Sequence, residues 1–356
     1  MEGLVNMINV PFWTGKKVLV TGHTGFKGTW LSLWLHSLKA EVHGFALQRR
    51  ENPNIFDTCH LIDDIRQKYG DICDQGKIES YLETCKPEII FHLAAQPLVR
   101  ESYVDPVKTY ATNIMGTVNL LEAAKKSSTV KAIVVITTDK CYENKEWSWG
   151  YRETDILGGH DPYAASKACA ELISQSYRLS FLNEKKIFLA TARAGNVIGG
   201  GDWAKDRLVP DCVRAIQNNK DIILRNPVAT RPWQFVLEPL KGYLMLAERL
   251  YIDGAQWAEA WNFGPERGGQ KSVEEVVKLI CNCSGGRYKI ETVNDLHENK
   301  NLELDISKAT SILKWKPALE LEQAIEMTMA WYNAYFTANI DMKEYSLQQI
   351  KEFQGV

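Results

Sequence analysis

Apolar positions along the first half of the chain switch between two rhythms. Val18–Val20 is a short apolar run, suited to a buried strand. Beyond it Trp30, Leu31, Trp34, Leu35 and Leu38 recur at three- and four-residue intervals, which predicts a helix with an apolar face. Val42–Leu47 reads as a second strand, and Ile89–Leu93 as another. "TNIMGTVNLLEAAKK" has helical amphipathicity, Ala132–Ile136 is again a strand, and "YAASKACAELI" again a helix. Strands that alternate with helices in this way predict a parallel sheet covered on both faces. After residue 190 the pattern is less regular. "TARAGNVIGGGDW" leads from a strand into a glycine-rich loop, "WNFGP" predicts a strand and turn, and "SVEEVVKLI" an amphipathic helix. "LDISKATSILKWKPALELEQAIEMTMAWY" predicts a helix, a turn at proline and a final helix.

The chain has 356 residues, 45% hydrophobic and 24% charged, enough for a large core in one domain or two unequal ones. A net charge of −2 excludes a broad basic field for nucleic acid or an anionic membrane, so any anion site is local. No apolar run approaches the roughly 20 residues of a membrane span. The first residues lack the basic segment of a secretory signal, and the expectation is a soluble protein. Eight cysteines are scattered without a CxxC pair, which fits a reducing cytoplasm and gives no metal motif.

Between the first strand and the first helix lies Gly22-x-x-Gly25-x-x-Gly28. Strand, glycine turn, helix and strand make the βαβ unit of dinucleotide folds, where a bare backbone approaches a pyrophosphate at a helix N-terminus. The fold expected is α/β, a Rossmann-type doubly wound parallel sheet over residues 1–190. A smaller mixed α/β lobe follows, mainly residues 191–356, with a segment around 235–265 returning to the first domain. His23 and Lys27 stand in or beside the glycine loop, and either solvated side chains or phosphate donors fit them. Ala94, with Ala95 at the end of the Ile89–Leu93 strand, is small enough for a cofactor to lie against. Asn113 is a helix cap or a polar pocket residue. Leu47 is followed by Gln48, Arg49 and Arg50 rather than an acid for the ribose hydroxyls, which leans towards NADP.

The Ala132–Ile136 strand opens abruptly onto Thr137, Thr138, Asp139 and Lys140. Tyr163 and Lys167 then share one helix face, four residues apart. An ammonium beside a phenol favours phenolate, so Lys167 is expected to lower the Tyr163 pKa from about 10. Thr138 would hydrogen-bond a substrate hydroxyl and Tyr163 would take its proton as hydride leaves. A simple sugar epimerase or reductase needs no more, so Asp139 and Lys140 imply a second step. Oxidation at C4 of a hexose acidifies the C5 proton. A base there and an acid at the C6 oxygen release water. Asp139 suits the acid if burial keeps it protonated, and Lys140 the base if it is a neutral amine. The rival readings are an epimerase or reductase with the same Tyr–Lys pair, and a non-catalytic dinucleotide sensor.

The GxxGxxG spacing resembles the extended short-chain dehydrogenase/reductase family. Within it, "TGHTGFKGTWLSLWL", "HLAAQPLVR", "TTDKCYEN", "YAASKACAEL", "ARAGNVIGGGDWAKDRLVPD" and "RPWQFVLEPL" resemble the CDP-glucose 4,6-dehydratases. The resemblance implies Thr138, Asp139, Lys140, Tyr163 and Lys167 as the catalytic set. For the cofactor it implies Gly22, Gly25, Phe26, Gly28, Asp71 and Ile72, with Asn113 beside the strand end, and NAD rather than NADP. It also implies a nucleotide-sugar substrate, a homo-oligomer, and a role in deoxysugars for surface polysaccharide. One departure is Phe235, where histidine is expected. In the second lobe Asn196, Asp202, Trp203, Arg207 and Arg231 are candidates for substrate, the arginines because guanidinium grips pyrophosphate in a bidentate fashion. Arg225 and Trp233 are lesser candidates, and "WNFGP" is expected to border the nucleotide base.

Overall fold

A computed structural model describes residues 8–48, 52–291, 302–337 and 339–355. Its centre is a seven-stranded parallel sheet. The strands are β1 (Lys17–Thr21), β2 (Glu41–Ala46), β3 (Arg66–Tyr69), β4 (Ile89–His92), β5 (Ala132–Ile136), β6 (Phe188–Ala194) and β7 (Ala260–Phe263), in the order β7-β6-β5-β4-β1-β2-β3. Helices α1 (Phe26–Ser37), α2 (Gln75–Cys85), α3 (Gly116–Lys126) and α4 (Pro162–Tyr177) belong to the crossovers. Further along are α5 (Leu208–Gln217), α6 (Leu237–Asp253), α7 (Val273–Ser284), α8 (Leu321–Phe336) and α9 (Met342–Gln354).

The inner strands are apolar at consecutive positions because both faces are covered. Val18, Val20, Phe91 and Val134 point into one core with Trp30 and Trp34 of α1 and Leu240 and Leu244 of α6. Their neighbours Leu19, Ile90, Ile133 and Val135 point into the other, with Leu120 and Leu121 of α3. Each such fully buried side chain contributes about 1.5–3 kcal/mol. β3 is different. Its sequence, Arg-Gln-Lys-Tyr, is almost wholly exposed at the sheet edge, so no apolar run announced it.

Residues 237–263 supply α6 and β7, so the main sheet ends on a strand from late in the chain. β6 runs on to Ala194, past residue 190. α9 returns against α1, with Trp34 and Phe353 meeting edge to face at 5.9 Å. The second lobe has short ladders: 197–198 with 234–235, 230–231 with 271–272, and 222–224 with 288–290. Phe235, in the first of these, is buried and faces Phe353 at 6.3 Å, so it is a core residue. Strand order reverses between β1 and β4, which opens a crevice at their carboxyl ends.

Candidate active site

The glycine loop closes this crevice from one side. Gly22 has φ +74°, and a Cβ there would lie 2.8 Å from the Ala94 nitrogen. A Cβ on Gly28 would lie 2.2 Å from the Gly22 carbonyl oxygen, so α1 could not dock as it does. Gly25 is the N-cap of α1 and offers no side-chain acceptor to its first turn. Ala94 donates its N–H to the Thr21 hydroxyl at 3.2 Å, which fixes the backbone at the end of β4. Ile72 is buried against Gly116, while the neighbouring Asp71 is exposed and accepts from the Cys73 N–H at 2.9 Å. Phe26 lies half-buried near Gly199. Arg49 and Arg50 lie outside the described residues.

One expectation at this end is corrected. His23 is not a phosphate donor: its side chain turns into the core, hydrogen-bonds Gln67 at 2.8 Å and packs on Phe56. Burial lowers its pKa to about 4, so the ring is neutral. The Lys27 ammonium lies 5.9 Å from the centre of the Tyr243 ring. Burial, then Lys167 and Arg207, lower its pKa to about 7 against the pull of Asp139. Asn113 has its amide committed within the protein. It accepts from the Gln96 N–H at 2.8 Å and donates to the Gln96 carbonyl and the Ser166 hydroxyl, tying the β4 loop to α4.

On the other side, β5 ends in a tight turn over Asp139–Cys141, capped by the Thr138 hydroxyl, which accepts from the Lys140 N–H at 3.3 Å. Asp139 is 2% exposed. Its Oδ1 accepts from the Thr138 hydroxyl at 2.9 Å, and its buried Oδ2 has no partner among the described residues. Burial raises its pKa, opposed by Lys140, Thr138 and Arg231. The carboxyl is thereby biased towards the protonated form that a general acid requires. Lys140 is half-buried beside it.

Tyr163 and Lys167 are both buried on α4, facing this turn. The expected pairing of the two is not what the structure contains. Lys167 donates to the Ile136 carbonyl at 3.0 Å, and burial lowers its pKa to about 8. Burial pushes the Tyr163 phenol up to about 12 instead of down, with Asp139 adding to the rise and Thr138 and Arg207 opposing it. Desolvation outweighs the Thr138 hydrogen bond and the Arg207 charge.

Arg207 and Arg231 do reach this pocket. The Arg207 guanidinium is held by Asp202 at 2.8 Å and faces Tyr163 and Lys27. Arg231 is 8% exposed and lies close enough to Asp139 to act on its charge. Asp202 therefore positions an arginine and has little left for a ligand. Asn196 is half-buried, and its backbone carbonyl accepts from Gln234. Trp203 is corrected from substrate contact to packing: its ring sits among Tyr332, Tyr335 and Phe336. Trp233 is likewise committed, donating to the Lys271 carbonyl at 3.0 Å. Arg225 lies at the surface near Asp206. "WNFGP" forms the last sheet strand, with Asn262 fully buried and bonded to Tyr142, Tyr151 and Asp305.

Sequence reading missed a second polar cluster directly behind the turn. Glu171 accepts from Thr137 at 2.5 Å, Thr191 at 2.7 Å and Arg193 at 2.8 Å. Arg193 also donates to the Tyr142 hydroxyl at 2.7 Å. Its one signal was Glu171 itself, an acid on the Tyr163–Lys167 helical stripe.

Comparison with known proteins gives the family. The model of the GDP-mannose 4,6 dehydratase family matches residues 19–328. A CDP-glucose 4,6-dehydratase of Salmonella typhimurium is 48% identical over 98% of this chain and 99% of its own length. Among solved structures, a dTDP-glucose 4,6-dehydratase of Streptomyces venezuelae with NAD bound has a TM-score of 0.78 at 23% identity, covering 89% of this chain and 96% of that one. An epimerase of Methanothermobacter thermautotrophicus has a TM-score of 0.81 at 23% identity, over 93% and 96% of the two chains. Those two share the fold. The chain belongs to the GDP-mannose 4,6 dehydratase family and stands, within it, with the CDP-glucose 4,6-dehydratases.

Proposed function

We propose that this chain converts CDP-glucose to CDP-4-keto-6-deoxyglucose and water, with NAD as a cofactor regenerated in each cycle. The observation that carries this reading is the turn after β5. A buried carboxyl with one oxygen unpartnered among the described residues stands beside Lys140 and opposite Tyr163. CDP rests on the close Salmonella relative. The cradle at Gly22 and Gly28, which a Cβ would fill, fits a dinucleotide pyrophosphate. Gly22, Gly25, Gly28, Ile72 and Ala94 would hold it. When bound, it would supply a hydride acceptor for C4, a positive charge that favours the Tyr163 phenolate, and later the hydride for C6.

The side chains do the rest. Thr138 orients the C4 hydroxyl and Tyr163 accepts its proton as the C4 ketone forms. Lys140 removes the C5 proton, which the ketone has made acidic. Asp139 protonates the C6 oxygen; the C6–O bond breaks and water leaves. A proton returns to C5 as C6 becomes a methyl group. Arg207 and Arg231 would engage the substrate pyrophosphate at the pocket wall.

We propose a cytoplasmic enzyme that supplies deoxysugar building blocks for surface polysaccharide. Its eight unpaired cysteines fit that compartment. Among the described residues, no helix is long and apolar enough to cross a membrane. We also propose a homo-oligomer. Exposed Val104 and Val107 lie next to α4, which itself exposes Leu172, and a second copy would cover this face.

The decisive experiment uses glucose nucleotides tritiated at C4, with CDP, dTDP, GDP and UDP compared. Tritium is expected in the methyl group of a product lighter by one water, fastest from CDP-glucose. Retention of C4 tritium without loss of water would establish an epimerase. Binding without turnover would establish a sensor.

A further inference from the structure

Glu171 and Arg193 form an ion pair whose side chains are each 3% exposed. Replacing such a pair by apolar residues is often neutral or stabilising, so stability alone is a weak account of it. Its position is more informative. Glu171 follows Lys167 by one helical turn and Tyr163 by two, on the same stripe of α4. Its Oε1 accepts from Thr137, the residue just before Thr138, Asp139 and Lys140. Arg193 reaches the other end of that turn through the Tyr142 hydroxyl, and its guanidinium lies 4.8 Å from the centre of the Tyr142 ring. The Thr137 N–H is itself fixed to the Ala192 carbonyl of β6 at 2.9 Å. One buried pair therefore grips both ends of the turn and the helix opposite.

We propose that Glu171 and Arg193 are positioning residues that hold the Asp139–Lys140 turn in register with Tyr163 and Lys167, coupling elimination to oxidation. This rests on the dehydratase reading. Oxidation acts at C4, whereas elimination needs two further groups at C5 and C6 of the same ring. An error of about 1 Å in such placement costs roughly a hundredfold. The Thr138, Asp139 and Lys140 side chains stem from a short turn, whereas Tyr163 and Lys167 sit on a sixteen-residue helix. Loosening the tether displaces the turn first: oxidation loses only the placement of Thr138 and keeps Tyr163 and Lys167, whereas elimination takes both its groups from the turn and suffers more.

The test is Thr137→Val, which keeps side-chain shape and removes the link from the turn to Glu171. With CDP-glucose, the variant is expected to accumulate reduced dinucleotide, seen by its near-ultraviolet absorbance. The ratio of C4 oxidation to water release should rise roughly tenfold, the effect of one buried hydrogen bond. Deuterium exchange at C5 should slow in step with water release. Thr137→Ser should restore the wild-type ratio, and Tyr142→Phe should shift it in the same direction as Thr137→Val. A Thr137→Val enzyme that loses thermal stability but keeps the wild-type ratio would show a purely structural pair and overturn the proposal. So would an equal fall in both stages. A wild-type enzyme that never releases water sinks the dehydratase reading itself, a result distinct from an unchanged ratio in a working dehydratase.

Discussion

Two buried carboxylates flank the same turn and have opposite characters. In front, Asp139 has one bonded oxygen and one orphan, and burial raises its pKa. Behind, Glu171 is equally buried, yet Arg193, Thr137 and Thr191 together overcome desolvation and hold its pKa below the ordinary value. Burial is common to both; the number of donors is not. A carboxylate whose oxygens are fully bonded is a fixture, whereas one left short of donors is held ready for a proton. The larger contrast is between chemistry on the pocket side and architecture on the sheet side of one turn.

Substitutions can break this contrast. Asp139→Asn should cut water release by ~10²–10⁴-fold, the usual worth of a general acid. Thermal unfolding should show no loss of stability, because an ill-satisfied carboxyl has been replaced by a neutral amide of the same shape. A large drop in melting temperature would make Asp139 a structural residue like Glu171. Glu171→Ala should do the reverse first and foremost: it leaves Arg193 buried without its counter-charge and should cost ~3–5 kcal/mol in denaturant unfolding. A stability change under about 1 kcal/mol would contradict the description of a fully bonded fixture.

Glu238 sharpens the comparison further from the site. One of its oxygens accepts the N–H groups of Ala318 and Leu319, both at 2.8 Å, and the other is buried without a partner among the described residues. Burial raises its pKa from 4.5 to about 7, against those two bonds and Lys241. Between these values the folded protein holds a proton that the unfolded chain releases. Its contribution to stability is therefore lost as pH rises through the window, by roughly 1–3 kcal/mol. Glu238→Gln should flatten that dependence. Denaturation midpoints measured from pH 4.5 to pH 7 check the slope, and an unchanged slope in the variant would exclude Glu238 as its source.

The parts legible in the sequence were those fixed by local pattern. The apolar runs of β1, β4 and β5, the glycine spacing and the Tyr163–Lys167 interval all translate directly into backbone position. At the carboxyl ends of parallel strands that position is also a place in the pocket. What sequence could not give was the direction of a side chain in a loop. His23 has the chemistry of a phosphate donor, but its ring packs against the bare backbone of Gly44 and bonds Gln67. Trp203 looked suited to a substrate and is consumed by α8, and in "WNFGP", expected to border the base, Asn262 is consumed by the segment around Tyr151. In each case the competing partner comes from far along the chain. β3 escaped notice for a different reason, since an exposed edge strand needs no apolar alternation.

The threading of the chain has a consequence for its integrity. The central sheet takes β7 and the covering helices α6 and α9 from beyond residue 230, while the exposed stretch at Lys205 and Asp206 lies between the two contributions. A protease cutting there would produce two pieces, neither of which owns a complete interior. They would remain clasped by the strand and helices each lends the other, so a nicked molecule would keep its shape although its backbone is severed.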